Sequence, residues 1–146
     1  MTIDAIADSL AEAAHAGQTD KAGNDYITHP RRVAGLVTPQ TAENRAAALL
    51  HDVLEDTSVT AHELASAGIP APVVRAVDLL TRRADVPSEA YYAAIRADPI
   101  ALAVKRADIA DNTDPQRLAL LDPATQERLR AKYAAAIAAL ETPAGG

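Results

Sequence analysis

Four ionisable side chains are concentrated in one short apolar stretch of this sequence. The segment "LHDVLEDT" contains His51, Asp52, Glu55 and Asp56. Within a helix, residues four apart share a face, so the histidine pairs with the glutamate and the first aspartate with the second. The leucines and the valine predict an opposite face that packs in a core. Because a carboxylate buried without a partner is costly, the pattern indicates either a solvated helix face or a metal site with an acid/base pair at a cavity edge.

Two further polar residues occur where an apolar residue would be expected, and they favour the metal site. His29 lies at a predicted helix start in "YITHP", and Asp108 follows an apolar run in "LAVKRADIADN". The chain has no cysteine, which excludes disulfides, thiolate metal sites and cysteine nucleophiles. Histidine and carboxylate side chains are therefore the ligands that remain, and together they suit a borderline-hard divalent ion.

The elements that must position these residues are all predicted to be helical. Apolar residues recur at helical spacing, and no segment shows strand-like alternation. Start signals include a "TAHE" capping-box pattern at Thr60, a cap at Ser88, and Asp-Pro pairs at Asp98 and Asp122. We predict helices over 3–16, from near 29, over 41–56, from 60 to a stop at 68, from 70, after 88, from 98, and from 122 to about 140. The sequence thus predicts one all-α domain over 1–146 with seven or eight helices, a core over about 3–140 and a frayed tail at 141–146.

Composition and charge limit the classes of function. The 146 residues are 49% hydrophobic and include no Phe or Trp, so the core must consist mainly of Ala, Leu, Val and Ile. A net charge of −6 argues against a nucleic-acid partner. No segment approaches the roughly 20 apolar residues of a membrane span, and no signal peptide is visible. A cytoplasmic location is expected, and the oligomeric state is left open.

Several motifs together resemble one enzyme family. The segments "AHAGQTDKAGNDYITHP", "AALLHDVLEDT", "LTRR" and "AVKRADIADN" occur in the order and spacing of the HD-domain phosphohydrolases. The sequence is most similar to the hydrolase domain of the RelA/SpoT-type enzymes and its small stand-alone relatives, over roughly residues 5–140. The resemblance implies a compact helical HD fold. It also implies removal of pyrophosphate from the 3′ position of guanosine tetra- or pentaphosphate.

The resemblance also implies roles for individual residues at the reaction centre. The metal ligands of the family, which usually hold manganese, match His29, His51, Asp52 and Asp108. Its catalytic carboxylates match the pair that follows, Glu55 and Asp56. An adjacent carboxylate can orient water and carry its proton, and either member of this pair could do so. The alternative for the pair is support of His51 and contact with solvent.

Three more residues match substrate contacts of the family. Lys21 matches a lysine near the phosphates, Asn112 an asparagine near the sugar, and Tyr133 a tyrosine near the nucleotide. The alternatives are an exposed loop lysine, a helix-end cap and a core tyrosine. His15 and His62 match no ligand position and are expected to be solvent-facing or structural.

Three departures from the family pattern affect the choice of substrate. Asp20 stands where an arginine usually packs against guanine, Asp25 replaces a proline, and Arg106 replaces a leucine. None of these coincides with an expected metal ligand or with the catalytic pair. The expected function is a manganese-dependent phosphohydrolase acting on a small phosphorylated nucleotide. The alternatives are a phosphohydrolase for another nucleotide or phosphoester, a non-catalytic module that binds metal and nucleotide, and a helical interaction protein without such a site.

Overall fold

Helices account for the regular structure of residues 2–141, which are the residues that this computed structural model describes. The segments are α1 (Ile3–Ala14), α2 (Thr28–Leu36), α3 (Ala42–Leu50), α4 (Val53–Asp56), α5 (Ala61–Ser66), α6 (Ala71–Leu80), α7 (Ser88–Arg96), α8 (Pro99–Asn112), α9 (Pro115–Leu118) and α10 (Pro123–Glu141). Over the described part of the chain, eight of them have six residues or more, and α4 and α9 are single turns. The all-α prediction is confirmed. Apart from Glu141, the predicted frayed tail lies outside the described residues.

Most of the predicted helix starts are present. At α5, the Thr60 hydroxyl accepts from the Glu63 N–H, and the Glu63 carboxylate accepts from the Thr60 N–H, which completes the capping box. Asp98 caps α8 by accepting from Ala101 N–H. The predicted cap at Ser88 is wrong, because extended Pro87 takes the cap position and Ser88 is the first helical residue.

The predicted continuous helix over 41–56 is wrong, because the chain turns at His51 and Asp52, between α3 and α4. In a regular helix the Ala48 carbonyl would accept from the Asp52 N–H. Here it accepts instead from the His51 N–H at 3.4 Å and from the His51 ring Nδ1 at 2.6 Å. The imidazole thus competes for the carbonyl that would continue the helix. The break separates the histidine and first aspartate from the short turn that carries Glu55 and Asp56.

Helix α3 occupies the centre of the molecule. Its residues 46–50, "AAALL", are all buried, and it packs against α1, α2, α6 and α8. Small alanine side chains allow the neighbouring helices to approach closely, and close packing fixes their relative positions. Helices α2 and α8 also pack against each other. The three helices that carry His29, His51 and Asp108 are therefore mutual neighbours.

Among the described helices, none is both long and apolar enough to cross a bilayer.

Candidate metal centre and its pocket

Three of the predicted ligands converge in the structure. His29 from α2, His51 from the end of α3 and Asp108 from α8 each offer one ligand atom, and these atoms all lie within 4.8 Å of one another. All three residues are buried. His29 Nε2 is 3.0 Å from Asp108 Oδ1, and His51 Nε2 is 3.4 Å from the same oxygen.

The fourth predicted ligand, Asp52, adjoins this group. Its Oδ2 is 3.1 Å from His51 Nε2 and 3.9 Å from His29 Nε2. The Tyr26 hydroxyl donates a hydrogen bond to the same oxygen. Burial opposes ionisation of Asp52, but the His51 imidazole outweighs it and lowers the pKa of the carboxyl to about 2. Asp52 is therefore a charged oxygen donor held in place by a tyrosine.

In each imidazole, Nδ1 is the nitrogen that faces away from the ligand cluster, and it donates a hydrogen bond to another group of the protein. His29 Nδ1 donates to Asp111 Oδ2 at 2.6 Å, and His51 Nδ1 donates to the Ala48 carbonyl at 2.6 Å. A neutral imidazole that donates from Nδ1 carries its lone pair on Nε2. Both Nε2 atoms face carboxylate oxygens, and His51 Nε2 is buried without a hydrogen-bond partner among the described residues. Lone pairs opposed in this way are relieved by a positive charge between them, either a bound cation or a proton on Nε2.

The electrostatics of the group lead to the same conclusion. Burial lowers the pKa of the His51 imidazole, but the charges and hydrogen bonds of Asp52 and Asp108 together outweigh burial and raise it well above its usual value. The pKa of His29 is also raised, because Asp108 and Asp111 outweigh its burial. The carboxylates thus attract positive charge to the Nε2 atoms. Two imidazoles and two carboxylates are a suitable donor set for a divalent metal ion, so the residues fit the metal that the sequence predicts.

Asp111 is a functional candidate that the sequence analysis missed. Its side chain is 3% exposed; besides the bond to His29, its Oδ1 accepts from Arg32 Nε at 2.8 Å. Arg117 Nε lies 3.7 Å from its Oδ2. A carboxylate on the outer nitrogen of a ligand histidine fixes the ring and its tautomer. The sequence signal that could have identified Asp111 is its spacing, because it follows Asp108 by three residues and therefore shares its helix face.

Glu55 and Asp56 lie beside the metal candidates and line the same pocket. Glu55 Oε1 accepts from the Arg82 backbone N–H at 2.6 Å. The Gln18 side chain donates to the Asp56 backbone carbonyl at 3.1 Å, which braces the end of α4. Burial raises the pKa of the Asp56 carboxyl, and the charges of Asp52 and Glu55 raise it further.

The pocket has a cavity of about 460 Å³, the size of a small-molecule site. Although the chain has a net charge of −6, the lining includes several basic residues. They are Lys21, Arg82, Lys105, Arg117 and Lys132. Basic side chains beside a centre that holds a cation suit an anionic ligand that bridges the two.

The three predicted substrate contacts all line this pocket. Lys21 is exposed in the loop before α2, whereas Asn112 donates from Nδ2 to Asp108 Oδ1 at 2.9 Å. Asn112 thus contacts a metal candidate and is not merely a helix-end residue. Tyr133 is half-buried and packs against the core; its burial, followed by the Asp108 charge, raises its pKa to about 12.

The remaining residues singled out in the sequence lie apart from the candidate ligands. His62 is exposed, as expected for a solvent-facing histidine. His15 is 2% exposed, and its ring centre lies 4.9 Å from that of Tyr26, so for His15 only the structural expectation holds. Asp20 Oδ1 accepts from the Ala22 and Asn24 N–H groups at 2.9 Å each and thereby shapes its own loop. The other two departures, at 25 and 106, are exposed.

Comparison with known proteins shows the family. The family model described as "HD domain" matches residues 7–121. The chain therefore belongs to the HD-domain family, which confirms the resemblance seen in the sequence and implies a divalent metal ion.

The curated relatives match parts of the chain. A guanosine-3′,5′-bis(diphosphate) 3′-pyrophosphohydrolase of Haemophilus influenzae is 46% identical over 57 residues, which are 38% of this chain and 8% of that protein. A protein of Mycobacterium leprae named probable GTP pyrophosphokinase is 35% identical over 130 residues, 82% of this chain and 16% of that protein. The chain thus spans less than a fifth of the length of either relative.

A solved structure has the same fold. It is described as a metazoan ortholog of SpoT that hydrolyses ppGpp and plays a role in starvation responses. The TM-score is 0.79 at 18% identity, over 99% of this chain and 89% of that one.

Proposed function

We propose that this chain is a metal-dependent phosphohydrolase acting on a phosphorylated nucleotide. Guanosine 3′,5′-bis(diphosphate), losing its 3′-pyrophosphate, is the first candidate substrate. The observation that carries the proposal is the convergence of two imidazoles and two carboxylates in a pocket that also contains Glu55, Asp56 and several basic residues. The names of the relatives and of the solved structure support this substrate.

His29, His51, Asp52 and Asp108 would hold the metal, which we propose to be Mn²⁺. Such an ion supplies Lewis acidity, which lowers the pKa of water and offsets negative charge on phosphate oxygens. The chain's own contribution is to keep the four donors charged or correctly protonated. Tyr26 does so for Asp52 and Asp111 does so for His29 through the hydrogen bonds described above.

The two carboxylates of α4 would divide the work on the attacking water. Glu55 is held by the Arg82 N–H and is suited to orient the water. The pKa of the Asp56 carboxyl is raised, which suits it to accept a proton near neutral pH. We therefore propose that Asp56 takes the proton as water attacks the 3′ phosphorus in line and the bond from phosphorus to the 3′ oxygen breaks. The 3′ oxygen takes up a proton, from Asp56 or from solvent, and becomes the 3′-hydroxyl. Pyrophosphate then leaves with the attacking oxygen.

The expected substrate contacts remain part of this proposal. Lys21 would pair with phosphate as a point charge, and Tyr133 would lie against the nucleoside. Asn112 would contact the sugar while its amide also holds Asp108.

At the loop position where the family usually has an arginine that packs against guanine, this chain has Asp20. The Asp20 carboxylate accepts hydrogen bonds within its own loop, and it offers no positive charge that could pack against a guanine. A purine other than guanine is therefore a specific alternative.

A substrate panel tests the proposal. Metal-free protein is supplied with Mn²⁺ and incubated with guanosine and adenosine nucleotides that carry a 3′-diphosphate, a 3′-monophosphate or only 5′-phosphates, and the products are identified. We expect pyrophosphate from the 3′-diphosphates and no product after addition of a chelator. Binding without product from any nucleotide would favour the alternative of a non-catalytic binding module.

A further inference from the structure

The loop between α1 and α2, residues 15–27, makes two hydrogen bonds to the segment that carries the reaction centre. The Tyr26 hydroxyl donates to Asp52, one of the metal candidates. The Gln18 side chain donates to the backbone carbonyl of Asp56, the proposed proton acceptor. The same loop therefore fixes a metal candidate and the proton acceptor relative to each other.

Helix α4, which carries Asp56, needs support from outside. It is a single turn, Val53–Asp56, and a helix this short is not stable by itself. The carbonyl groups of a last helical turn have no partner within the helix, and the carbonyl of Asp56 is one of these. Gln18, which precedes Asp56 by 38 residues in the chain, supplies a donor at 3.1 Å. The position of Asp56 thus depends on the orientation of the Gln18 amide.

His15, at the end of α1, fixes the orientation of this amide. Because Nε2 of Gln18 faces the Asp56 carbonyl, its Oε1 is left to accept, and it accepts from His15 Nδ1 at 2.9 Å. The His15 ring is buried, and its centre lies 4.9 Å from that of Tyr26. The Tyr26 N–H also donates to the Gln18 carbonyl at 2.9 Å. His15 therefore contacts both of the side chains by which the loop holds the centre.

We propose that His15 is a positioning residue that acts on Asp56 through Gln18. Neither His15 nor Gln18 lines the pocket, so an effect on turnover must be transmitted through the residues that they hold. A displacement of about 1 Å in a reacting group can lower a rate about 10²-fold. Loss of either contact should therefore slow the reaction without weakening substrate binding. The inference rests on the proposed function, because it assumes that Asp56 takes the proton.

The test uses variants that keep the shape of a side chain and remove its hydrogen bond. Gln18→Met cannot donate to the Asp56 carbonyl, and His15→Leu cannot donate to Gln18. In His15→Asn, the side-chain amide can replace the Nδ1–H donor. Gln40→Met is the matched control, because Gln40 also donates to backbone carbonyls, at 2.9 and 2.8 Å, and lies outside the pocket.

For each variant, kcat and KM are measured with guanosine 3′,5′-bis(diphosphate) and excess Mn²⁺, and Mn²⁺ affinity and thermal unfolding are measured on the same samples. We expect Gln18→Met and His15→Leu each to lower kcat about tenfold, with KM and Mn²⁺ affinity changed less than twofold. His15→Asn should recover most of the loss. Gln40→Met should leave kcat unchanged even where it lowers the unfolding temperature. If His15→Leu does not fold, Gln18→Met still gives the result.

A double variant separates positioning of Asp56 from a general loss of stability. If Gln18 acts through the Asp56 carboxylate, adding Gln18→Met to Asp56→Asn should lower kcat less than twofold further. A further tenfold loss in that background, or equal kcat for His15→Asn and His15→Leu, overturns the proposal. Wild-type kcat in both Gln18→Met and His15→Leu also overturns it, while the proposed function stands. Absence of pyrophosphate release by the wild type instead overturns the proposed function, and the role of His15 with it.

Discussion

The candidate metal centre and the rim of the same pocket are built in different ways. At the centre, His29 on α2, Asp108 on α8 and His51 at the end of α3 are buried where these three helices pack together, and each is held by additional hydrogen bonds. At the rim, Lys21 and Arg82 are exposed and lie on connecting segments.

This difference in burial separates the residues that we expect to perform the reaction from those that we expect to select the nucleotide. A buried group fixed by several partners has little freedom, so its geometry persists whatever ligand enters. Exposed side chains on loops can change without disturbing the core. We infer that the centre determines the reaction and that the rim determines which nucleotide is accepted.

Replacing a metal candidate should abolish hydrolysis. We expect Asp52→Asn to lower the rate at least about 100-fold, because even the loss of a group that only orients a ligand costs roughly 10–100-fold. The matched control is Asp85→Asn, an exposed aspartate outside the pocket, which should retain wild-type activity. The measurement is the initial rate of pyrophosphate release with Mn²⁺ in excess. Equal rates for the two variants would exclude Asp52 from the centre.

The two carboxylates of α4 should affect turnover but not metal binding. We expect Asp56→Asn to lower kcat by about 10²–10⁴-fold, the usual contribution of a proton-transfer group. Glu55→Gln should cost less, because the amide oxygen can still accept from the Arg82 N–H. Metal content and kcat are measured on the same samples. If Glu55→Gln were the more damaging change, the roles proposed for the two residues would be reversed.

The carboxylate behind His29 should affect metal affinity. Asp111→Asn removes the charge that fixes the imidazole, and we expect Mn²⁺ affinity to fall about tenfold. Arg32→Gln is the control, because it disturbs an ion pair of Asp111 and leaves the bond to His29 in place. Calorimetric titration with Mn²⁺ measures both. A similar loss in the two variants would mean that the ion pairs, and not the histidine contact, explain the effect of Asp111.

The rim lysine should affect KM only. We expect Lys21→Gln to raise KM about fivefold, because an exposed ion pair contributes at most about 1 kcal/mol. Mn²⁺ affinity and kcat should not change. Arg106→Gln, an exposed residue on α8 outside the pocket, is the control. A fall in kcat for Lys21→Gln would show that the rim also contributes to the chemistry.

The sequence allowed the centre to be predicted better than its surroundings. His29 and Asp108 could be recognised because charged residues in apolar helical contexts are unusual, and the motif spacing linked them to "LHDVLEDT". The break at His51 could not be recognised, since it depends on an imidazole that competes for the Ala48 carbonyl. Asp111 was missed because its role depends on a histidine 82 residues away in the chain.

The residues of the rim were predicted only in part, because some of their contacts also join residues from different parts of the fold. Lys21 was found because it lies within a sequence motif. Arg82 lies within the quoted segment "LTRR" but was given no role, because its position depends on the stacking of its side chain on Tyr91 of α7. Contacts of this kind depend on tertiary packing and leave no local spacing pattern.

We propose that four side chains from three segments of the chain share one divalent ion. Titration of metal-free protein with Mn²⁺, followed by electron paramagnetic resonance of the free ion, tests it most directly. We expect one ion to bind per chain, and we expect Asp52→Asn and His29→Ala each to abolish this binding while the helical circular dichroism is retained. Undiminished free-ion signal with the wild-type chain, or unchanged binding in both variants, would contradict it.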